Sequence, residues 1–274
     1  MTATSTEDSP GVGVGGRNVI ESFSLKGRTI VITGVAGGLG LNFANACVQA
    51  GANVAGIDIA QTPHADFDRL SADDTTVKYY QADVTDPQVV EDTFQQIAAD
   101  FKEIHGCITC AGIAGEARFH EYPVEEVKRI VNVNLLGSFF VAQSAVRLFL
   151  KQNTRGSIVF ISSVASHQAN ASHPVSAYGA TKYAVRGLAQ QVAVEYAPYG
   201  IRANSISPGP MLTDMSRRLA AGNPGVFKNL CSHIMLNRMG EPDELNGAAV
   251  FLLSDASSFV TAEDILVDGG QGHL

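Results

Sequence analysis

Short apolar runs bounded by polar residues recur along this chain, and stretches with helical spacing separate them. The runs fall at residues 28–32, 53–57, 77–81, 105–110, 158–161, 202–206 and 265–267. The run at 158–161, Ile-Val-Phe-Ile, is continuous, β-branched and aromatic, without alternation. That pattern predicts a strand buried on both faces, as in a parallel sheet. Residues 41–50 have a helical pattern, and a second helix opens at Asp86-Pro87, a capping side chain followed by proline at the first helical position. Its apolar positions Val89, Val90, Phe94 and Ile97 share one face. Further helical runs reach from Val131 to about Leu150 and onward from Tyr178, and acids at Glu241, Asp243 and Glu244 mark the first turn of another. Strands alternating with helices predict an α/β fold: a single-domain, Rossmann-like doubly wound parallel sheet with helices on both faces.

Composition narrows the class. With 274 residues, 45% of them hydrophobic, one sizeable core is expected over residues 24–274, with no linker or repeat. A net charge of −8 without a basic cluster argues against a nucleic-acid partner. No apolar run approaches the ~20 residues of a membrane span. The first residues lack the apolar segment of a secretory signal, and the Ser/Thr/Gly-rich stretch 1–23 reads as a mobile tail. Residues 212–239, rich in Met and Arg with scattered Gly and Pro, are expected to form a substrate lid. Cys107 and Cys110 form a C-x-x-C pair, but on a strand they point to opposite faces and cannot share a metal. They read as small buried apolar residues, and with Cys47 and Cys231 the four cysteines fit a reducing cytoplasm.

Two stretches carry chemistry. Thr33 to Gly40 (TGVAGGLG) stands between a strand and a helix, where glycines let the backbone approach a pyrophosphate seated on the helix N-terminus. The earlier glycine pattern at Gly11, Gly13 and Gly16 has neither neighbour and carries no such reading. Asp58 ends the second strand, where a carboxylate can accept the ribose hydroxyls of NAD and repel the 2′-phosphate of NADP. No Arg or Lys stands in the glycine turn or just after Asp58, so NAD is the expected cofactor. The second stretch runs from Gly156 to Lys182. Ser162 and Ser163 end its strand, and Tyr178 and Lys182 stand four apart on one helix face. A free tyrosine ionises near ~10. A neighbouring ammonium favours the phenolate, and the pair can then shuttle a proton at an alcohol oxygen that a serine hydroxyl holds. Alone, the Tyr–Lys spacing also arises by chance in helices.

The whole constellation resembles the short-chain dehydrogenase/reductase family from about Ser24 to Gly270. The resemblance is carried, in the family's order, by TGVAGGLG at 33–40, Asp83-Val84, Ala111-Gly112, Asn134 before Leu-Leu-Gly, Ser163, Tyr178 with Lys182, Pro208-Gly209 and Val267-Asp268-Gly269-Gly270. It implies Tyr178 as acid/base and Ser163 as holder of the substrate oxygen. It also implies Lys182 as tuner of the phenol and binder of the nicotinamide ribose, with Asn134 keeping a water on the proton path. Gly34, Gly38, Leu39, Gly40, Asp58, Asp83, Val84, Ala111 and Gly112 are implied around the cofactor. Pro208, Gly209, Met211 and Thr213 are implied at its nicotinamide end.

The chain departs from the family pattern in places. Thr109-Cys110 replaces Asn-Asn; the first Asn normally braces the sheet, which the Thr109 hydroxyl could do less fully. His105 stands where Asp is common, and Phe160 where Asn is common. The gap between Ser163 and Tyr178, holding His167, Asn170 and His173, is longer by two. Ser162 is expected to face away from Ser163. Val164, Ala165, Gln168, Met211 and Met215 are expected at the substrate mouth. Members usually form homotetramers through the helix after Asn134, the helix bearing Tyr178 and the last strand. The short end after Gly270 suits either a subunit contact or a frayed terminus. The implied activity is interconversion of a secondary alcohol and a ketone, with a polyol or ketose competing against a bulkier cyclic or polyketide-type ketone. An idle NAD-binding sensor or structural subunit is the other class, and such members usually lose the tyrosine or lysine that this chain keeps.

Overall fold

The computed structural model describes residues 18–169, 174–213, 217 and 231–273. Among them, β1 (Thr29–Thr33), β2 (Asn53–Asp58), β3 (Val77–Gln81), β4 (Gly106–Thr109), β5 (Ser157–Ile161), β6 (Arg202–Pro208) and β7 (Asp264–Val267) form one sheet. The strand order is β3-β2-β1-β4-β5-β6-β7, and every neighbouring pair is parallel. Several strands outrun the apolar runs, because ladder pairing continues through Thr33 opposite Ile57 and Pro208 opposite Val267.

The α-helices bounded within the described residues are α1 (Val19–Ser22), α2 (Gly38–Gln49), α3 (Pro87–Phe101), α4 (Val124–Val131), α5 (Ser138–Gln152), α6 (Ser176–Tyr196) and α7 (Asn246–Leu253). Successive strand residues point to opposite faces, so Ile30 and Ile32 pack with Phe43 and Cys47 of α2 and Leu252 of α7. Val31, Ile158 and Phe160 pack with Phe94 of α3, Phe149 of α5 and Val185 of α6 on the other face. Cys107 joins the second group, while Cys110 packs against the first, so the two thiols lie on opposite sides of the sheet. Burial pushes both up to about 12, which leaves them as apolar core groups.

Helix boundaries follow local chemistry. Asp86 accepts from the amides of Gln88 at 2.9 Å and Val89 at 3.1 Å, capping α3. Glu241 and Glu244 form a capping box around a 3-10 turn, Pro242–Leu245, that leads into α7. Between α4 and α5 the helix widens to π form over Asn132–Gly137. The combined helix, Val124–Gln152, is long and apolar enough to cross a membrane, yet 56% of its most apolar window is buried within the fold.

Residues 18–23 of the expected tail carry structure. Asn18 caps α1, and Phe23 lies 6.0 Å from the ring of Phe251, so apolar contact holds these residues on α7. Most of the expected lid lies outside the described residues. Within its described part, Cys231, Ile234 and Met239 form a small apolar cluster against Leu212.

His105 explains how the chain manages where an Asp is common. Its amide donates to Thr29 O at 2.9 Å, and its Nδ1 accepts from the Thr29 amide at 3.1 Å, fastening the start of β1 to β4. Burial holds the imidazole below its ordinary value, with Glu103 opposing and Arg28 reinforcing. The folded chain therefore resists a proton that the unfolded chain accepts, and stability falls as pH drops through 6.5 and below. In His105→Asn the amide oxygen keeps the acceptor and cannot titrate. Between pH 7.5 and 5.5 wild type is expected to lose more Tm than His105→Asn; equal losses by calorimetry would refute this account.

Candidate active site

The chain reverses its direction of travel across the sheet between β1 and β4, where successive crossovers leave toward opposite edges. Ligands of doubly wound sheets sit at the strand C-termini of such a switch point. A cleft of about 970 Å³ lies there. Gly34, Gly38, Leu39, Gly40, Asp58, Asp83, Val84, Ala111, Gly112, Ser163, Tyr178, Lys182, Pro208, Gly209, Met211 and Thr213 all line it. Every residue expected to act in catalysis or hold the cofactor therefore reaches the cleft wall except Asn134.

Asn134 sits one layer behind and is 1% exposed. Its amide donates to Ile113 O at 2.9 Å and Thr181 Oγ1 at 3.1 Å, and its oxygen accepts from the Ile113 amide at 2.8 Å. The π widening of the helix falls at this residue, the kind of local distortion that favours functional positions. A Cβ on Gly112 would lie 3.4 Å from Asn134 Oδ1 and 3.6 Å from Lys182 Nζ, so Gly112 is the layer between the cleft and Asn134.

At the other wall the end of β5 meets α6. Lys182 is 6% exposed and donates from Nζ to Ile161 O at 2.8 Å, with Nζ 5.5 Å from the Tyr178 ring centroid. Ser162 also borders the cleft, but its hydroxyl is engaged, donating to Lys182 O at 2.9 Å. Ser163 Oγ accepts from the Ala165 amide at 3.1 Å, which leaves its own O–H free to donate.

The glycine turn fits a dinucleotide. Gly34 adopts φ +79°, and a Cβ there would lie 3.0 Å from Ala111 backbone atoms. A Cβ on Gly40 would lie 2.1 Å from Gly34 O, so α2 can start this close to β1 only without a side chain. No side chain caps α2 and no acid occupies its first turn, which leaves the helix N-terminus to an outside anion. Asp58 braces the turn: Oδ2 accepts from the Ala36 amide at 2.9 Å and Oδ1 from the Ala60 amide at 3.1 Å. Each oxygen keeps a further lone pair for a ribose hydroxyl.

Thr109 does not brace the sheet as expected. Its Oγ1 is buried with no hydrogen-bond partner among the described residues, a defect costing roughly 1–3 kcal/mol. The threonine hydroxyl is one bond from Cβ and falls short of the reach of an asparagine amide. Thr33 from β1 does the bracing, its Oγ1 accepting from the amides of Cys110 and Ala111 at 3.0 Å each. Sequence reasoning assigned Thr33 no role, although its place before the first glycine was the available signal.

The mouth also differs. Of the expected residues, Met211 lines the cleft, whereas Gln168 donates to Gln271 O at 3.0 Å and Val164 lies beside Gly272. The residues after Ser163 lean on the C-terminal segment, because Asp268 accepts from the Gly270 and Gly272 amides and folds that segment back. Gln271 in that segment is buried. Met215, Asn170 and His173 lie outside the described residues.

Comparison with known proteins agrees with this geometry. The family described as enoyl-(acyl carrier protein) reductase matches residues 34–271. A D-arabinitol 2-dehydrogenase (ribulose-forming) of Candida tropicalis is 35% identical, with 92% of this chain and 95% of that one covered. A probable NADP-dependent mannitol dehydrogenase of Yarrowia lipolytica is 37% identical over 93% and 91%. A short-chain type dehydrogenase/reductase structure from Mycobacterium marinum superposes with a TM-score of 0.85 at 34% identity, covering 93% and 99%. With fold, cleft and relatives in agreement, this chain belongs to the short-chain dehydrogenase/reductase family and is a hydride-transfer oxidoreductase of secondary alcohols and ketones.

Proposed function

We propose that the enzyme interconverts a polyol and its ketose with NAD, through Tyr178, Ser163 and Lys182. The observation that carries this reading is that these three side chains line the same cleft as the glycine turn, with Lys182 Nζ 5.5 Å from the Tyr178 ring centroid. The D-arabinitol dehydrogenase relative supports the polyol over a bulkier cyclic ketone.

A bound nicotinamide cofactor supplies the hydride acceptor or donor. The glycine turn and the α2 N-terminus would hold its pyrophosphate, Asp58 its adenosine ribose, and Asp83 and Val84 its adenine. Ala111, Gly112, Tyr178 and Lys182 would hold the nicotinamide ribose, and Pro208, Gly209, Met211 and Thr213 the nicotinamide. Ser163 donates its O–H to the substrate oxygen and fixes it beside the phenol. In oxidation Tyr178 takes the hydroxyl proton from that oxygen; in reduction it returns one. Lys182 spends one of its three donors on Ile161 O, and two remain for the ribose and the phenolate. Asn134 would steady a water on the proton's way out, as its place behind Gly112 allows.

Likeness does not choose the cofactor, since the mannitol dehydrogenase relative is NADP-dependent. Asp58 and its neighbour Ile59 support NAD: a carboxylate repels a 2′-phosphate, and Ile59 offers it no cation. The unpaired cysteines fit a cytoplasmic location. Exposed Leu136 and Phe139 before and on α5, with Tyr183 and Val194 on α6, offer apolar surface on the helices through which a homotetramer would assemble.

Three outcomes follow. With NAD, D-arabinitol and D-mannitol should be oxidised at least about tenfold more efficiently than cyclohexanol, a difference of ~1.4 kcal/mol; a faster cyclic alcohol would overturn the substrate reading. Asp58→Ala should move the NAD-to-NADP ratio of kcat/KM at least about tenfold toward NADP, with both values lowered because the Ala36 brace is gone. Wild type preferring NADP would refute the cofactor reading. Light scattering at micromolar concentration should give four times the chain mass, and a monomer would contradict the assembly.

A further inference from the structure

An imidazole that the reaction itself does not use lies behind Ser163. His167 Nε2 is 2.7 Å from Asp264 Oδ2 and 3.3 Å from Ser207 Oγ, and its Nδ1 is 3.4 Å from Arg186 Nη1. Asp264 opens β7, and its side chain is 8% exposed. Its other oxygen accepts from Ser205 and, at 2.9 Å, from Ser207, both on β6. Arg186 stands one turn beyond Lys182 on α6 and donates to Ser166 O at 2.9 Å. Arginine only donates and an ionised carboxylate only accepts, so a neutral imidazole with its proton on Nε2 satisfies both neighbours. Both Asp264 and Ser207 share Nε2, so this is no nucleophilic triad, in which the imidazole uses one nitrogen for each.

The cluster reaches Ser163 through one turn of backbone. The Ser166 amide and hydroxyl both donate to Ser163 O, each at 2.8 Å, and the His167 amide donates to Val164 O at 2.9 Å. Ser162 Oγ lies 3.0 Å from Ser166 Oγ and also holds Lys182 O. The turn carrying Ser163 is thus gripped from the last strand on one side and the helix of Tyr178 on the other.

We propose that His167 is a positioning residue, which clamps the Val164–Ser166 turn between Asp264 and Arg186 and thereby fixes the Ser163 hydroxyl relative to Tyr178. This rests on Ser163 being the group that holds the substrate oxygen. Displacing a reacting group by about 1 Å can cost ~10²-fold in rate, so a clamp outside the cleft can govern turnover.

The test measures D-arabinitol oxidation with NAD, with kcat referred to the concentration of NADH-binding sites so that misfolded protein is not counted. His167→Ala should lower kcat about 10- to 100-fold while NADH affinity stays within about twofold. His167→Gln, whose amide nitrogen can take the place of Nε2, should restore kcat to within about threefold of wild type. In a Ser163→Ala background, His167→Ala should cost less than about twofold more, because a residue acting through Ser163 has nothing left to position. A kcat for His167→Ala within about twofold of wild type, or an undiminished loss in the Ser163→Ala background, overturns the proposal. If His167→Ala does not fold, Asp264→Asn is read by the same criteria. A wild type inactive on D-arabinitol counts against the polyol reading and not against the clamp. The clamp is then judged by amide exchange at Ser166 and His167: acceleration of about tenfold or more in Asp264→Asn supports it, and unchanged exchange overturns it.

Discussion

Strand β5 and helix α6 hold each other twice at one point, and the site is built on that grip. Lys182 Nζ donates to Ile161 O, and the Ser162 hydroxyl donates to Lys182 O, at 2.8 and 2.9 Å. An ammonium buried to 6% exposure must have partners, since an unpaired buried charge costs several kcal/mol. The strand carbonyl supplies one partner. In satisfying the lysine, the sheet also sets the height and rotation of the helix that carries Tyr178, one turn earlier. Ser163, two residues past the end of β5, lines the same cleft as Tyr178, while its neighbour Ser162 is held on the helix. Chemistry and packing are the same contacts here.

The opposite wall obeys a similar logic with smaller groups. Thr33 and Asp58 each end a strand and each spend side-chain oxygens on backbone amides of the loop after a neighbouring strand. Those bonds hold loop backbone at the strand C-termini, where a parallel sheet leaves amides unpaired. They also keep α2 close enough to β1 that Gly40 tolerates no side chain. A cleft shaped by backbone on one side and by Lys182 on the other suits a long polar cofactor.

Much of this was legible in the residues. Strands buried on both faces advertise themselves as unbroken apolar runs, and 158–161 pointed to the centre of the sheet without help. The Tyr–Lys spacing and the glycine turn are local, so sequence distance matched spatial distance. What stayed hidden was contact between distant segments. His167 and Asp264 are 97 residues apart, and nothing near either residue announces the other. The bracing role given to Thr109 failed because a residue type was matched to a role without asking how far its hydroxyl reaches. Val164 and Gln168 were expected at the mouth by proximity to Ser163, yet the folded-back C-terminal segment competes for them. Asn18 to Phe23 looked like tail because a single cap and a single aromatic contact leave little periodic signal.

The central claim is that the Tyr178 phenol carries the proton of the substrate oxygen while the rest of the cleft holds the cofactor. Tyr178→Phe tests it most directly, because the ring and its packing remain and only the hydroxyl goes. NADH titration alongside D-arabinitol turnover should show cofactor affinity within about threefold of wild type and a rate lower by ~10²–10⁴-fold. Turnover near the wild-type rate in that variant would mean that the proton travels elsewhere, and the assignment of the site would be wrong.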